Sequence, residues 1–178
     1  MNMLESEDRE RGLLLTFTGD GKGKSSAAFG IALRALGWGW RIAVLQFMKG
    51  ERPTGERNFF RQYFPETLFE AHGLGLTTRP GDHAACARQG WKRARELLAG
   101  FSGELLILDE LCVALFHGYL DCGEVIETLR NRRSGLNVVV TGRHAPPELR
   151  ELSDLVSEIG MVKHPYTRGI PARKGIDY

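Results

Sequence analysis

The chain has 178 residues, of which 42% are hydrophobic and 26% are charged, and its formal net charge is +2. This length and composition predict one compact globular domain with a substantial core. The small net charge argues against nucleic acid or an anionic membrane as the main partner, and no stretch approaches the roughly 20 apolar residues that cross a bilayer. We therefore expect no nucleic-acid and no membrane partner.

The N-terminal segment and the cysteines indicate the cellular compartment of the protein. Residues 1–12 are polar and carry both signs of charge, the opposite of a signal peptide. Cys86, Cys112 and Cys122 are odd in number and form no C-x-x-C pair, so reduced thiols are expected. We predict a cytoplasmic protein with a polar segment, residues 1–12, followed by a single domain, residues 13–178.

From residue 13 onward, short apolar runs alternate with longer segments of helical periodicity. Strands are predicted at residues 13–17, 41–47, 68–71, 104–108, 137–141 and 155–162. Helices are predicted at residues 25–36, from a cap at Asp82 through residue 98, at residues 123–132 after a cap at Asp121, and at residues 146–152. Gly37 and Gly100 are expected just past the ends of the first two helices. The alternation predicts an α/β fold, a parallel sheet with helices on both faces in a three-layer sandwich.

Two longer segments show less regular patterns. Residues 49–64 are expected to begin as a charged loop and to end as a short helix, and residues 163–178 are expected to be irregular. Loops of this length in a compact domain are often functional.

A glycine-rich turn follows the first strand and precedes the first helix. The run reads Thr18-Gly19-Asp20-Gly21-Lys22-Gly23-Lys24-Ser25-Ser26. A strand, a glycine loop and Gly-Lys-Ser at a helix start are typical of a phosphate cradle, in which backbone N–H groups face the phosphates. We expect Lys24 to reach phosphate oxygens and Ser25 to bind magnesium. The common pattern G-x-x-x-x-G-K-[ST] has glycine where this chain has Thr18.

A second motif supports the same interpretation. The apolar run of residues 105–108 ends in Asp109 and Glu110, which places two carboxylates at the edge of a parallel sheet where ligands bind. Together with the glycine loop, they predict nucleotide and Mg²⁺ binding in a P-loop NTPase-like fold.

Arg143 follows another apolar strand and is either a bidentate clamp for phosphate oxygens or a surface arginine in an ion pair.

This combination of motifs resembles the P-loop type of ATP:corrinoid adenosyltransferases over residues 13–178. The family loop reads Thr-Gly-Asn-Gly-Lys-Gly-Lys-Thr-Thr, so Thr18 matches the family, and Asp20 and Ser25 are mild substitutions. The pieces that carry the resemblance are residues 17–30, 46–50, 55–58, 109–111, 118–120, 140–143, 162–166 and 175–178.

The resemblance implies transfer of the 5′-deoxyadenosyl group of ATP to the cobalt of cob(I)alamin or a related corrinoid, with triphosphate leaving. It implies ATP bound in reversed orientation on the loop, with Mg²⁺ or Mn²⁺ as the metal. It also implies a homodimer and an electron-donating reductase such as a flavoprotein. The residues that it implicates are Lys24, Glu110 and Arg143 in catalysis, Ser25, Glu110 and Asp109 at the metal, and Gly19, Asp20, Gly21, Lys22, Gly23, Lys24, Ser25, Ser26 and Arg34 at the nucleotide.

One stretch departs from the family. Relatives commonly carry Gly-Phe-Thr-Trp and an acidic residue before the long helix, where the aromatic side chains help displace the lower axial ligand of the corrinoid. This chain has Leu76, Thr78 and Arg79 at the corresponding places. Either other residues serve that step or the preferred corrinoid differs.

Two other classes of function are considered. A P-loop kinase or NTPase would act at the γ-phosphate, but no recognisable catalytic-base motif accompanies the loop. A non-catalytic nucleotide or corrinoid carrier would retain binding without turnover, and the complete set of Lys24, Ser25, Asp109 and Glu110 argues against it.

Overall fold

The computed structural model describes residues 11–50, 53–75 and 80–178. Its centre is a six-stranded sheet in which all paired strands are parallel, in the order β3-β2-β4-β5-β1-β6. Most of the predicted segment 1–12 lies outside the described residues. The strands are β1 (Leu14–Thr18), β2 (Ile42–Gln46), β3 (Leu68–Ala71), β4 (Leu105–Asp109), β5 (Asn137–Thr141) and β6 (Leu155–Glu158).

The helices lie between the strands, as the alternating pattern predicts. The side chains of Asp82 and Asp121 cap two helices by accepting hydrogen bonds from the N–H groups of Ala85 and Glu124, each at 2.7 Å. The helices are α1 (Lys24–Gly37), α2 (Gly55–Tyr63), α3 (His83–Gly100), α4 (Leu111–Phe116), α5 (Cys122–Arg130) and α6 (Pro147–Leu152), and a 3₁₀ helix covers Pro165–Arg168.

Some predicted boundaries were wrong. Gly37 and Gly100 are the last helical residues rather than the residues after them, and the positive φ beyond α1 is found at Gly39, at 75°. The last strand ends at Glu158, four residues before the predicted boundary, because the carbonyl of Ile159 instead accepts a hydrogen bond from the Gly21 N–H.

The core has two parts, one on each face of the sheet. Helix α1 packs Ala28, Ala32 and Ala35 with α2 against one face, whereas α3, α4, α5 and α6 cover the other face around Trp91 and Leu98. Strand residues alternate between the two clusters, as in a sheet covered on both sides. The predicted three-layer α/β sandwich is confirmed. Among the described residues, no helix has the length and apolar character that a membrane crossing requires.

This topology collects the predicted functional segments at one place. Strands β4, β5 and β1 are neighbours in the sheet, and their carboxyl ends lead into Glu110, into Gly142 and into the glycine loop. Because parallel strands end at the same edge, three segments that are distant in sequence meet there.

Thr18, at the position where the common loop pattern has glycine, has a structural role of its own. It is fully buried at the end of β1, and its Oγ1 accepts a hydrogen bond from the N–H of Ala145 at 3.1 Å. The hydroxyl therefore connects the base of the glycine loop to the segment that follows β5.

We predict that Thr18→Val lowers the free energy of unfolding by about 1–3 kcal/mol, because it leaves the buried N–H of Ala145 without an acceptor. Urea denaturation measures this loss. Thr128→Val is the matched control, since the Thr128 hydroxyl bonds an exposed helix carbonyl and its loss should cost no more than about 0.5 kcal/mol. Equal losses in the two variants would contradict the prediction.

Candidate active site

A cavity of about 460 Å³ opens at the carboxyl edge of the sheet. The glycine loop forms one side of it, and Lys49, Glu110 and Arg143 contribute from the ends of three other strands. The remaining lining residues come from α1, from the start of α2 and from the C-terminal part of the chain. They are Phe29, Gly55, Glu56, His164, Gly175, Ile176, Asp177 and Tyr178.

The glycines of the loop are required by its surroundings. A Cβ on Gly21 would lie 2.4 Å from the carbonyl oxygen of Gly160, a distance that side chains do not tolerate. Gly23, directly before α1, has a φ of 126°, which L-residues with a side chain rarely adopt. The close approach of residues 159–160 and the turn into α1 thus explain the spacing seen in the sequence.

Lys24 is held inside the loop. It is only 8% exposed, and its Nζ donates to the carbonyl oxygens of Gly19 and Gly21 at 2.7 and 2.6 Å. An ammonium has three donors, so one remains for a phosphate oxygen. Burial lowers the pKa of Lys24, while the charge of Glu110 raises it.

Asp109 is the centre of a buried hydrogen-bond network. Its Oδ1 accepts from the hydroxyls of Ser25 at 2.8 Å and Thr141 at 2.7 Å. Its Oδ2 accepts from Gln46 Nε2 and contacts Lys49 Nζ, each at 3.0 Å. The carboxylate is fully buried, and both oxygens have two partners. Asp109 therefore does not line the cavity itself. It orients the hydroxyl of Ser25, a lining residue, from the buried side.

The pKa of Asp109 reflects this network. Burial alone would raise it, but the charge of Lys49 and the hydrogen bonds from Thr141 and Ser25 bring it below the ordinary value. Asp109 is consequently ionised at neutral pH despite its burial.

Glu110 has an unusual backbone conformation. Its φ of 64° and ψ of 20° lie in the left-handed region, which non-glycine residues seldom adopt, and its N–H donates to Thr141 Oγ1 at 2.9 Å. Such strain is found mostly at functional sites.

Burial and the neighbouring charge of Asp109 raise the pKa of Glu110, although the positive charges of Lys49, Lys24 and Arg143 oppose this shift. The carboxylate would be stabilised by a further cation.

The donors beside the loop suit a magnesium ion better than a transition metal. Ser25 offers a hydroxyl and Glu110 a carboxylate, both of which are oxygen ligands. Across the described part of the chain, no group of three or more His, Cys, Asp or Glu residues is placed to hold a metal. Mg²⁺ commonly binds through one or two protein oxygens together with phosphates.

The structure brings together most of the predicted site residues. Residues 20–26 of the loop, Glu110 and Arg143 line the cavity, and the carbonyl of Gly19 accepts a hydrogen bond from Lys24, one of the lining residues. Arg34 is not among them, because it lies ten residues after Lys24, about 15 Å along the axis of α1, and is exposed. Its assignment to the nucleotide stays a prediction. Leu76, Thr78 and Arg79 lie outside the described residues.

Lys49 has a place in the site that the sequence alone does not indicate. Its Nζ contacts Asp109 and lies 3.6 Å from Glu56 Oε1, and it lines the cavity. The available signal was its position three residues after β2, since β2 ends at the same edge of the sheet as β4. Gln46 and Thr141, the last residues of β2 and β5, join the network for the same reason.

We predict that Asp109→Asn lowers the free energy of unfolding, measured in EDTA, by about 3 kcal/mol near neutral pH, because the amide removes a fully buried carboxylate and leaves the partly exposed ammonium of Lys49 without it. A carboxyl group with a lowered folded-state pKa stabilises above the unfolded-state pKa, about 3.9, and loses that contribution as the pH falls through the folded-state pKa. The difference from wild type should therefore persist at pH 5 and shrink only below about pH 4.

Asp82→Asn is the control for this substitution, since asparagine caps a helix about as well as aspartate. Its unfolding free energy should stay within about 0.5 kcal/mol of wild type. A difference for Asp109→Asn that already closes between pH 5 and 6 would contradict a lowered pKa.

Comparison with known proteins gives the family. The chain is 45% identical over 172 residues to the corrinoid adenosyltransferase of Pseudomonas aeruginosa, covering 95% of this chain and 85% of that protein. It is 43% identical over 171 residues to that of Escherichia coli, covering 95% and 87%.

The solved structures that resemble this protein share its fold but little of its sequence. The flagellar accessory protein FlaH from Methanocaldococcus jannaschii has a TM-score of 0.60 at 10% identity, over 89% of this chain and 78% of that one. The KaiC-like protein PH0186 from Pyrococcus horikoshii has a TM-score of 0.54 at 16% identity, over 86% and 75%. The family model for ATP:corrinoid adenosyltransferase BtuR/CobO/CobP matches residues 10–178, and the chain belongs to that family.

Proposed function

We propose that this protein transfers the 5′-deoxyadenosyl group of ATP to the cobalt of a reduced corrinoid, cob(I)alamin or a related compound, and releases triphosphate. The observation that carries the proposal is one cavity that joins the glycine loop, Lys24, Glu110 and Arg143 in a member of this family. The related proteins of Pseudomonas aeruginosa and Escherichia coli bear the name corrinoid adenosyltransferase.

The reaction explains what the site must supply. An electron pair of cobalt(I) forms the bond to C5′, and the pair of the C5′–O bond leaves with the triphosphate. No proton has to be removed from the nucleophile, so the protein needs no general base for this step. Its contributions are the alignment of C5′ with cobalt and the stabilisation of charge on the departing triphosphate.

The lining residues can perform the second task. Lys24 has a donor to spare beyond its two loop carbonyls, and the guanidinium of Arg143 is suited to bind phosphate oxygens bidentately. Ser25 and Glu110 would hold Mg²⁺, or Mn²⁺ in its place, with Asp109 orienting the Ser25 hydroxyl. When bound, the metal supplies positive charge that offsets the charge of the triphosphate.

We further propose that a reductase such as a flavoprotein supplies the electron that gives cobalt(I). We also propose that the protein is a homodimer and works in the cytoplasm. The free state of Cys86, Cys112 and Cys122 supports a reducing compartment.

The direct test is an assay with MgATP and chemically reduced cobalamin. Adenosyl transfer gives a cobalt–carbon product, seen by its absorbance, and one triphosphate for each adenosyl group transferred. The rival reaction at the γ-phosphate, which the family membership does not favour, gives ADP instead. ADP with phosphate and no cobalt–carbon product would reject the proposal.

We predict that Lys24→Ala reduces the rate of adenosyl transfer by about 100-fold or more, because the site loses a buried cation that faces the leaving group. Thermal unfolding should show that the variant is folded. Lys92→Ala, which removes an exposed lysine of α3, is the control and should retain the wild-type rate. Near-normal turnover in Lys24→Ala would refute the role of Lys24.

For Glu110→Gln we predict that the Mg²⁺ concentration at half-maximal rate rises by about tenfold or more, since the amide keeps the shape of the side chain and removes its charge. Titration of the rate with MgCl₂ at fixed ATP measures this. Glu127→Gln, on α5 and outside the cavity, is the control. An unchanged Mg²⁺ dependence in Glu110→Gln would remove Glu110 from the metal site.

A further inference from the structure

The C-terminal segment Arg173–Tyr178 lies against the nucleotide cavity. Gly175, Ile176, Asp177 and Tyr178 all contribute to its lining, together with the glycine loop. They coincide with one of the motifs that the chain shares with its family, yet neither the motif nor the proposed reaction gives them a role. We call residues 173–178 the tail.

The tail is folded on itself and joined to the loop by one ion pair. Asp177 Oδ1 lies 2.6 Å from Lys22 Nζ, and Asp177 Oδ2 accepts a hydrogen bond from the Arg173 N–H at 2.7 Å. The Gly175 N–H donates to the Tyr178 carbonyl at 2.8 Å. Asp177 therefore holds the turn of the tail with one oxygen and the loop with the other.

Stability does not explain this ion pair. The side chains of Lys22 and Asp177 are 40% and 23% exposed, and pairs at such positions contribute little to the free energy of unfolding. The pair does, however, join the tail, which forms one wall of the cavity, to the glycine loop. An interaction of little value for stability thus lies where it can influence the position of that wall.

The chemistry of the wall differs from that of the loop. The loop provides backbone N–H groups and Lys24, which suit phosphates. The tail provides Ile176, whose side chain is largely exposed, and one aromatic residue, Tyr178. Apolar and aromatic surface of this kind suits a purine or a ribose better than a polyanion.

We propose that the tail is the wall of the site that contacts the nucleoside part of ATP, and that Asp177 is a positioning residue that acts through Lys22. Lys22 then serves as the anchor of the tail and not as a phosphate ligand, a task left to Lys24. The inference rests on the proposed function in taking ATP as the nucleotide.

Calorimetric titration of the full chain with MgATP, and separately with magnesium triphosphate, tests this. Asp177→Asn and Lys22→Ala should each raise the Kd for MgATP by about three- to tenfold. The Kd for MgATP of the double variant should be no higher than that of either single variant, because each substitution breaks the same contact between the tail and the loop. Asp177→Asn should bind triphosphate within about twofold of wild type. Glu96→Gln, which breaks a surface ion pair with Arg93 on α3, is the matched control.

Three results would overturn the inference. They are an unchanged Kd for MgATP in Asp177→Asn, effects of the two single variants that multiply in the double variant, and a loss of triphosphate affinity in Lys22→Ala. The last would make Lys22 a phosphate ligand. A wild-type protein that binds MgATP but forms no cobalt–carbon product would reject adenosyl transfer instead and leave the tail inference standing.

Discussion

The carboxylate of Asp109 is the interaction on which the rest of the site depends. It is fully buried and is bonded by Ser25 after β1, by Gln46 and Lys49 on the β2 side, and by Thr141 at the end of β5. Burying an ion is costly unless its partners are in place. Four chain segments are therefore held in one arrangement, and the Ser25 hydroxyl, for which we propose a role at the metal, is oriented by the same network.

Two backbone features follow from this arrangement. Glu110 follows Asp109 directly and turns into a left-handed conformation, with its N–H bonded to Thr141. Gly142, after Thr141, has a φ of 136°, and a Cβ there would lie 2.8 Å from that of Cys112. The chain leaves β4 and β5 through tight turns, which place Glu110 and Arg143 in the cavity just after the ends of the two strands.

The sequence predicts the features that local patterns determine. The apolar runs of the parallel strands and the glycine spacing of the loop are local, so the fold and the roles proposed for Lys24 and Glu110 could be inferred. A lysine in a charged loop has no local mark that separates it from a solvated one. The partners of Lys49 and Lys22, Asp109 and Asp177, lie 60 and 155 residues away and become visible only in the folded chain.

The bond that is broken determines which part of the nucleotide the site must hold in place. A nucleotide site that breaks the γ-phosphate bond must place water or a hydroxyl and a group that orients it. A site that breaks the C5′–O bond must instead hold the nucleoside in line with an external nucleophile, since misplacement by about 1 Å can cost a hundredfold in rate. Binding on the phosphate side alone leaves the ribose free to turn. A second wall, joined to the loop by Lys22 and Asp177, supplies the constraint that this reaction requires.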